Sequence, residues 1–365
     1  MLRLRILDIY ILREVFYALV FAICAFTAVF IGSGTLFRIA RYITEYGASL
    51  SSVIKIFVYG LPGIIMWTFP MSTLLATLLT FGRLSSSSEI TAMKSCGIGF
   101  GRIAAPAIFL GLVVSICSIF FNEHVVPWSK TAYNNVVYYE IEGNTELKSQ
   151  DHIIVKEILG DKIQRLVYAR EYRASDETLQ GVTMQEFNDN GKVSHVENAE
   201  FAEWRDGMWI MHEGIIYDFS ENERTRSMRF SRQILPVKAN PRQIVREQKT
   251  PEELTMKELR AQIEIMKTQY ISTNELETEL YQRFTIPMAS LIFALIGVPL
   301  GLQPTRNSSS MGFAFSVIII FIYYAVMTLA NALGVGGILD PMIAVWIPNI
   351  IGFIVGIVLI RRASQ

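Results

Sequence analysis

The 365-residue sequence lacks the marks of most enzyme classes. It has no G-x-x-x-x-G-K-[ST] run, so no nucleotide-hydrolysis loop of that kind is present. Its three cysteines, Cys24, Cys96 and Cys117, have neither zinc-site nor redox-pair spacing. The four histidines, His124, His152, His195 and His212, show no metal-ligand pattern, and no nucleophile motif appears. Gly97-Ile98-Gly99-Phe100-Gly101 is glycine-rich but follows no strand, and reads as a turn between helices. Lys+Arg and Asp+Glu balance at 33 each, which removes the basic stripe expected of a nucleic-acid binder.

The largest absence is of charge along most of the chain. Residues 122–284 hold 49 of the 66 charged residues, and the other 202 positions hold 17. Such a partition indicates two solvents, lipid and water. Charge-free runs cover Val15–Phe37, Ile56–Gly82, Ile103–Asn122, Phe284–Thr305, Asn307–Leu339 and Pro341–Ile360, from 20 to 33 residues each. A hydrocarbon core of about 30 Å needs roughly 20 apolar residues in a helix. All six qualify as membrane spans, three before the charged region and three after it. The first run is long for a signal peptide and lacks a convincing small-residue cleavage site, so it reads as an uncleaved helix. No run contains Asp, Glu, Lys, Arg or His, the groups on which proton relays and most ion-coupled sites depend.

Orientation follows from the short connections. Arg3, Arg5, Arg13, Arg83, Lys94, Arg102, Arg306, Arg361 and Arg362 share one side, against Arg38, Arg41 and Lys55 on the other. The positive-inside rule then places both termini in the cytoplasm and the charged domain outside.

Between about Glu146 and Val237 the pattern changes to short alternating runs with turn residues between them. These are His152–Lys156, Arg165–Tyr172, Val182–Phe187, Lys192–Val196, Phe201–Trp204, Met208–His212 and Ile215–Phe219. Asp189-Asn190-Gly191 and Asp206-Gly207 are hairpin signals, because these residues tolerate the positive φ of tight turns. Strands without intervening helices predict an antiparallel sandwich or jelly roll. Trp204 and Trp209 flank the second turn as core or cross-strand partners. Met256, Leu259, Ile263 and Met266 then recur at helical spacing, giving an amphipathic helix that either docks or merely links. A further helical stretch, Glu275–Arg283, leads into the fourth span.

The 83–102 connection has helix signals of its own. Ser86-x-x-Glu89 has capping-box spacing and predicts a start near Ser87, while Gly97 is a natural stop. Ile90 and Met93 lie at helical spacing, with Glu89 and Lys94 available to solvent. Two turns of helix are marginal alone and must pack on something, either lipid or a cytoplasmic motor subunit. In the last span, Gly352-x-x-x-Gly356 permits close helix packing, expected within one subunit. Pro62 and Pro70 are expected to loosen the second span.

Several runs together resemble the LptF/LptG permeases of lipopolysaccharide export. They are Phe69-Pro70-Met71-Ser72-Thr73-Leu74-Leu75, Phe81-Gly82, and Ser88-Glu89-Ile90-Thr91-Ala92-Met93-Lys94-Ser95-Cys96-Gly97. Asn122-Glu123-x-x-Val126-Pro127, Gly181-Val182-Thr183 with Glu186-Phe187, Met256-x-Glu258-Leu259 and Glu279-Leu280-Tyr281-x-Arg283-Phe284-x-x-Pro287 extend the likeness over essentially the whole chain.

The resemblance implies an α+β membrane protein with six transmembrane helices, 3+3, around an inserted extracytoplasmic antiparallel β-jelly roll. The implied plan is spans one to three in 1–121 with a coupling helix at about 86–97, a periplasmic β-jelly roll in 122–250, a helical connector in 251–284 and spans four to six in 285–365. The function implied is that of a permease subunit, itself no enzyme, of an ATP-binding-cassette exporter. It extracts lipopolysaccharide from the outer leaflet of the bacterial inner membrane and passes it to a periplasmic β-jelly-roll bridge. Implied partners are an LptB-type ATPase dimer, a second permease subunit (a paralogue or another copy), an LptC-type periplasmic protein, lipopolysaccharide and membrane lipids. No cofactor is bound by this chain, ATP and Mg belonging to the partner ATPase. Glu89, with Ile90, Met93 and Lys94, is expected to couple to that ATPase. The first and fifth spans are expected to form lateral gates, and Arg38 and Arg41 to meet the glycolipid's phosphates, unless they merely snorkel to the interface. Two other classes of function remain, a non-transporting scaffold presenting its β domain and an ion-driven lipid transporter.

The physical task suits such a device. Exposing roughly 60 lipid methylenes to water would cost on the order of 50 kcal/mol at about 0.8 each. A workable machine therefore offers the acyl chains a continuous apolar path.

Overall fold

The computed structural model describes residues 6–141, 149–159, 162–188, 193–219, 226–237, 240–241, 244, 249–268, 272–302 and 309–364. Arg3, Arg5, Arg306 and the Asp189-Asn190-Gly191 turn lie outside them. The chain divides into two compact units, Met1–Ile141 with Pro251–Gln365, and Glu142–Thr250.

The first unit is helical. Its elements are α1 (Ile6–Phe30), a π-turn (Ile31–Thr35), α2 (Leu36–Tyr46), α3 (Leu50–Ser86), α4 (Glu89–Ser95), α5 (Phe100–Val136) and a second π-turn (Val137–Ile141). After the sheet unit come a 3₁₀ turn (Pro251–Glu253), α6 (Met256–Thr268), α7 (Asn274–Gly301), α8 (Ser309–Val335) and α9 (Pro341–Ser364). Among the described residues, six helices are long and apolar enough to cross a membrane, the first being α1 and α2 joined through the π-turn. The helix of the third span continues past Asn122, where its charge-free run ends, because Pro127 is its only proline beyond that point and no glycine interrupts it.

Spans two and four form the centre. In the most apolar stretch of each, about three quarters of the residues are buried, 72% and 78%, against 22% in that of the first span and 17% in that of the fifth. Small residues let the central pair approach. A Cβ on Gly301 would lie 2.7 Å from that of Phe81, and one on Gly297 would run into the Thr77 hydroxyl. Gly352 and Gly356 face span four in the same way, their virtual Cβ atoms 2.6 Å from Ile292 Cγ2 and 3.0 Å from Leu295 Cβ. That motif is therefore used for packing inside the chain. The fifth span is tied to this centre by a buried polar bridge: Tyr323 OH donates to Asn349 Oδ1 at 2.7 Å, and the Asn349 amide donates to the Thr285 carbonyl at 2.8 Å.

The second unit is a six-stranded antiparallel sheet in sequential order: β1 (Gln150–Leu159), β2 (Lys162–Arg173), β3 (Thr178–Phe187), β4 (Val193–Arg205), β5 (Met208–Asp218) and β6 (Arg226–Leu235). The order is a plain meander, without a Greek-key crossover among the described strands. A crease runs across it. Every ladder keeps its offset across one skipped transverse row, His152, Arg170, Gly181, Glu200, Glu213 and Ser231, while separate register shifts lie at Glu157/Ile158 and Glu186/Phe187. Gly181 and Glu213 in that row have φ of 60° and 47°. The inward parity inverts there, since Ala169 and Tyr172, Leu179 and Val182, Ala199 and Ala202 all join one core cluster. Such interruptions let strands bend and pass from one layer to another, so a single meander can enclose a core from two sides. The unit is thus an antiparallel β domain, as expected, but its described strands form a creased meander and not the Greek-key order of a jelly roll.

Trp209 is fully buried and stands opposite Trp204 in an edge-to-face pair, ring centroids 5.3 Å apart. Asp206 and Gly207 make the turn between them with φ of 51° and 80°, as their identity requires.

Candidate functional site

Two places in the helical unit gather the residues singled out above. The first is α4 and its surroundings. The α3 helix runs on through Ser86, whose hydroxyl donates to the Arg83 carbonyl at 2.9 Å, so the expected capping box does not form. Ser88 instead breaks the chain with φ of 60°, and α4 starts at Glu89. Its end is a Schellman turn: Ile98 N–H bonds Met93 O at 3.1 Å and Gly97 N–H bonds Lys94 O at 2.9 Å, with Gly97 at φ 82°. Ile90 is buried and Met93 packs on the same core as Ile11, Val15, Phe100 and Ile103. The helix is thereby rooted in the bundle, while Thr91, Ala92, Lys94, Ser95 and Cys96 stay exposed.

Glu89 lies at the boundary. Its carboxylate accepts from Tyr10 OH and from Ser87 Oγ, both at 2.8 Å. Lys94 reaches the Ala363 carbonyl at 3.4 Å and lies over the Phe100 ring, 5.5 Å from its centre. Two further pairs flank the hairpin, Arg83 with Glu14 at 2.7 Å and Arg102 with the buried Asp8 at 2.5 Å. These contacts put the N-terminal end of span one, the 83–102 connection and the end of span six together.

The second place is at the opposite end of the bundle, where the chain leaves for the sheet unit and returns. A cavity of about 320 Å³ opens there between the first four spans. Arg38, Lys130 and Arg283 supply cations, Glu252 and Glu279 carboxylates, and Tyr59, Trp67 and Tyr133 rings. Arg38 follows the π-turn at Ile31–Thr35 and, among the described residues, has no ion-pair partner. Arg41 is exposed on the same helix but does not line the cavity. Lys130 pairs with Glu252 at 2.5 Å and lies 6.0 Å from the centre of the Tyr133 ring.

The sequence profile of the family described as lipopolysaccharide export system permease LptF/LptG matches residues 9–362. The chain belongs to that family. LptF of Escherichia coli K12 is 20% identical over 308 residues, covering 84% of this chain and 81% of that protein. LptF of Shigella flexneri matches with the same identity and coverage. LptG of Escherichia coli K12 is 19% identical over 303 residues, covering 81% of each chain. Near-equal likeness to LptF and LptG leaves the branch open. Membership and six apolar helices make this a multi-pass inner-membrane protein.

The structure explains why scattered LptF/LptG-like motifs occur together. Thr255 and Glu258 form a capping box at the start of α6: Thr255 N–H donates to Glu258 Oε2 at 2.8 Å, and Glu258 N–H to Thr255 Oγ1 at 3.3 Å. Glu123, at the end of the third span, accepts the Met256 N–H at 3.0 Å. The buried Arg283 donates to the Leu254 carbonyl at 2.5 Å and the Pro251 carbonyl at 2.7 Å. Three motifs distant in sequence thus close one junction, which anchors the returning chain beside the cavity. Burial of Leu259, Ile263 and Met266 shows that α6 packs through its apolar face. Lys267 on this helix pairs with Glu277 at 2.6 Å, and that hydrogen bond holds its ammonium above the ordinary lysine range. Lys130, Tyr133 and Trp67 were not singled out by sequence, because a lone charge or ring beside an apolar run has no distinguishing spacing.

Proposed function

We propose that this chain is a transmembrane permease subunit of an ATP-driven lipopolysaccharide exporter. Both termini and α4 face the cytoplasm in this reading, and the creased sheet unit lies in the periplasm. An LptB-type ATPase dimer docks on the exposed face of α4, with Glu89 and Lys94 at the contact and Ile90 and Met93 passing the displacement into the bundle. A second permease subunit completes the lipid cavity, and the sheet unit hands lipid to an LptC-type partner.

The observation that carries the reading is the construction of α4. A seven-residue helix has too little hydrogen bonding to persist alone, yet here it is rooted by Ile90 and Met93 and leaves a polar face outward. That is the form of a peg. Span one, the less tied of the two least buried spans, is the one able to move without opening the centre. In this reading Arg38, which lines the cavity, meets a phosphate of the glycolipid, and Arg41 attracts one electrostatically.

Depleting the chain in its host tests this. Lipopolysaccharide should accumulate in the inner membrane, and the tagged chain should co-purify with an ATPase. Normal lipopolysaccharide delivery after complete, uncompensated loss contradicts the proposal.

A further inference from the structure

The contacts around α4 also indicate which span receives its motion. Three polar ties join the N-terminal end of span one to the 83–102 hairpin: Asp8 to Arg102 at 2.5 Å, Tyr10 to Glu89 at 2.8 Å and Glu14 to Arg83 at 2.7 Å. The Thr80 hydroxyl adds a long contact to the Glu14 carbonyl, 3.5 Å. Asp8, Ile11, Val15, Leu19 and Ala22 form the only buried stripe of α1, at helical spacings of three or four residues. Beyond Ala22 the span changes character. Neither the π-turn at Ile31–Thr35 nor α2 has a buried residue. Span one is thus gripped at one end and only loosely held at the other, where no residue is fully buried and Tyr42 packs at the edge of the Ile56 cluster, with Gly32 and Gly34 at the break and Arg38 just past it.

We propose that Asp8, Tyr10 and Glu14 are positioning residues of lipid export, clamping span one to the hairpin so that displacement of α4 swings the loosely held half of that span and moves Arg38. The inference rests on the preceding reading of α4 as the motor's contact. It adds that the force bypasses the packed pair of spans two and four. A rigid centre resists deformation because its glycine-mediated contacts leave no slack, whereas a lever held by ion pairs and one short apolar stripe can pivot.

The test uses the complete complex in liposomes: this chain, its second permease subunit and its ATPase, with lipopolysaccharide and an acceptor. The triple variant Asp8→Asn, Tyr10→Phe, Glu14→Gln should assemble and hydrolyse ATP as the native complex does. Lipid delivered per ATP should fall about fivefold, the size expected when a coupling contact is lost. Spin labels at Phe37→Cys and Ile54→Cys, with Cys24, Cys96 and Cys117 replaced by Ser, report the swing directly. Their separation should change on ATP binding with the native ties and stay constant in the triple variant. The charge exchange Glu14→Arg with Arg83→Glu should restore delivery relative to Glu14→Arg alone. If the triple variant does not assemble, Tyr10→Phe alone decides, removing one oxygen and lowering delivery per ATP about twofold. Unchanged delivery and an unchanged label shift in the assembled variant overturn the inference. A native complex that delivers no lipid would overturn the functional reading instead.

Discussion

The Tyr323 hydroxyl donates to Asn349 Oδ1 at 2.7 Å inside the helical unit, and the other end of that amide is held by the Thr285 carbonyl. One side chain from span six thus latches span five to span four. In lipid such a bond has no water to compete with, yet measured values are modest, about 0.6 kcal/mol on average and up to about 1.7. Tyr323→Phe should lower the thermal midpoint of the detergent-purified chain by an amount matching about 1 kcal/mol. An unchanged midpoint would mean that ring packing against Phe293, and not the hydroxyl, holds the fifth span.

Arg283 closes the junction beside the cavity by donating to two carbonyls while buried. Removing it leaves both acceptors and the nearby Glu279 without their cation, and Glu279 is 3.8 Å away. Arg283→Gln should destabilise the helical unit by about 3 kcal/mol. Arg283→Lys should recover little, because one ammonium lacks the planar fork that reaches both carbonyls. Thermal inactivation of the purified chain reads this, and a variant within about 0.5 kcal/mol of native would refute the role.

Glu197 is an acid in the wrong solvent. It is buried on the inner face of β4, with Oε1 accepting from Gln233 at 3.0 Å and Oε2 without a partner. Burial raises its pKa above the ordinary carboxylate range, and the Gln233 bond only partly opposes this. A carboxyl with a raised folded value favours the fold while protonated. That contribution is present at acid pH and lost as pH rises through the folded value. Glu197→Gln should therefore increase hydrogen-exchange protection of β3–β5 near pH 8, where burying the charge is most costly, and change little near pH 4. Equal loss of protection at both pH values would contradict the assignment.

Much of this architecture is legible in the sequence, and the exceptions have physical causes. The spans stand out because lipid tolerates no charge, and Asp206-Gly207 because few residues adopt positive φ. Gaps in the alternating pattern near residue 200 and at Glu213 resemble strand ends. They are instead the crease, where β4 and β5 continue but inward parity inverts. β6 escapes notice because Arg226, Arg229 and Arg232 interrupt its apolar positions on an exposed edge strand. Ser86 has the right spacing for a cap, but a helix already running through it takes precedence. The ties from Asp8, Tyr10 and Glu14 cannot be read at all, since nothing in the sequence says that residue 10 meets residue 89.

Glu89→Ala removes the acceptor of both Tyr10 and Ser87. The rooted apolar face of α4 is untouched, so the purified chain should keep its thermal midpoint. Lipid delivery by the complex should drop about tenfold through weakened docking or coupling. A variant that folds, binds ATPase and exports normally would leave α4 as a simple interfacial helix.

The central claim is that this chain conducts lipid only when a separate motor works it. Its most direct measurement places the chain, its partner permease and the ATPase in liposomes with lipopolysaccharide and a periplasmic acceptor, and compares an active with a hydrolysis-dead ATPase. The account predicts ATP-dependent arrival of lipid at the acceptor with the active enzyme and none above background with the dead one. Equal transfer in both would contradict it.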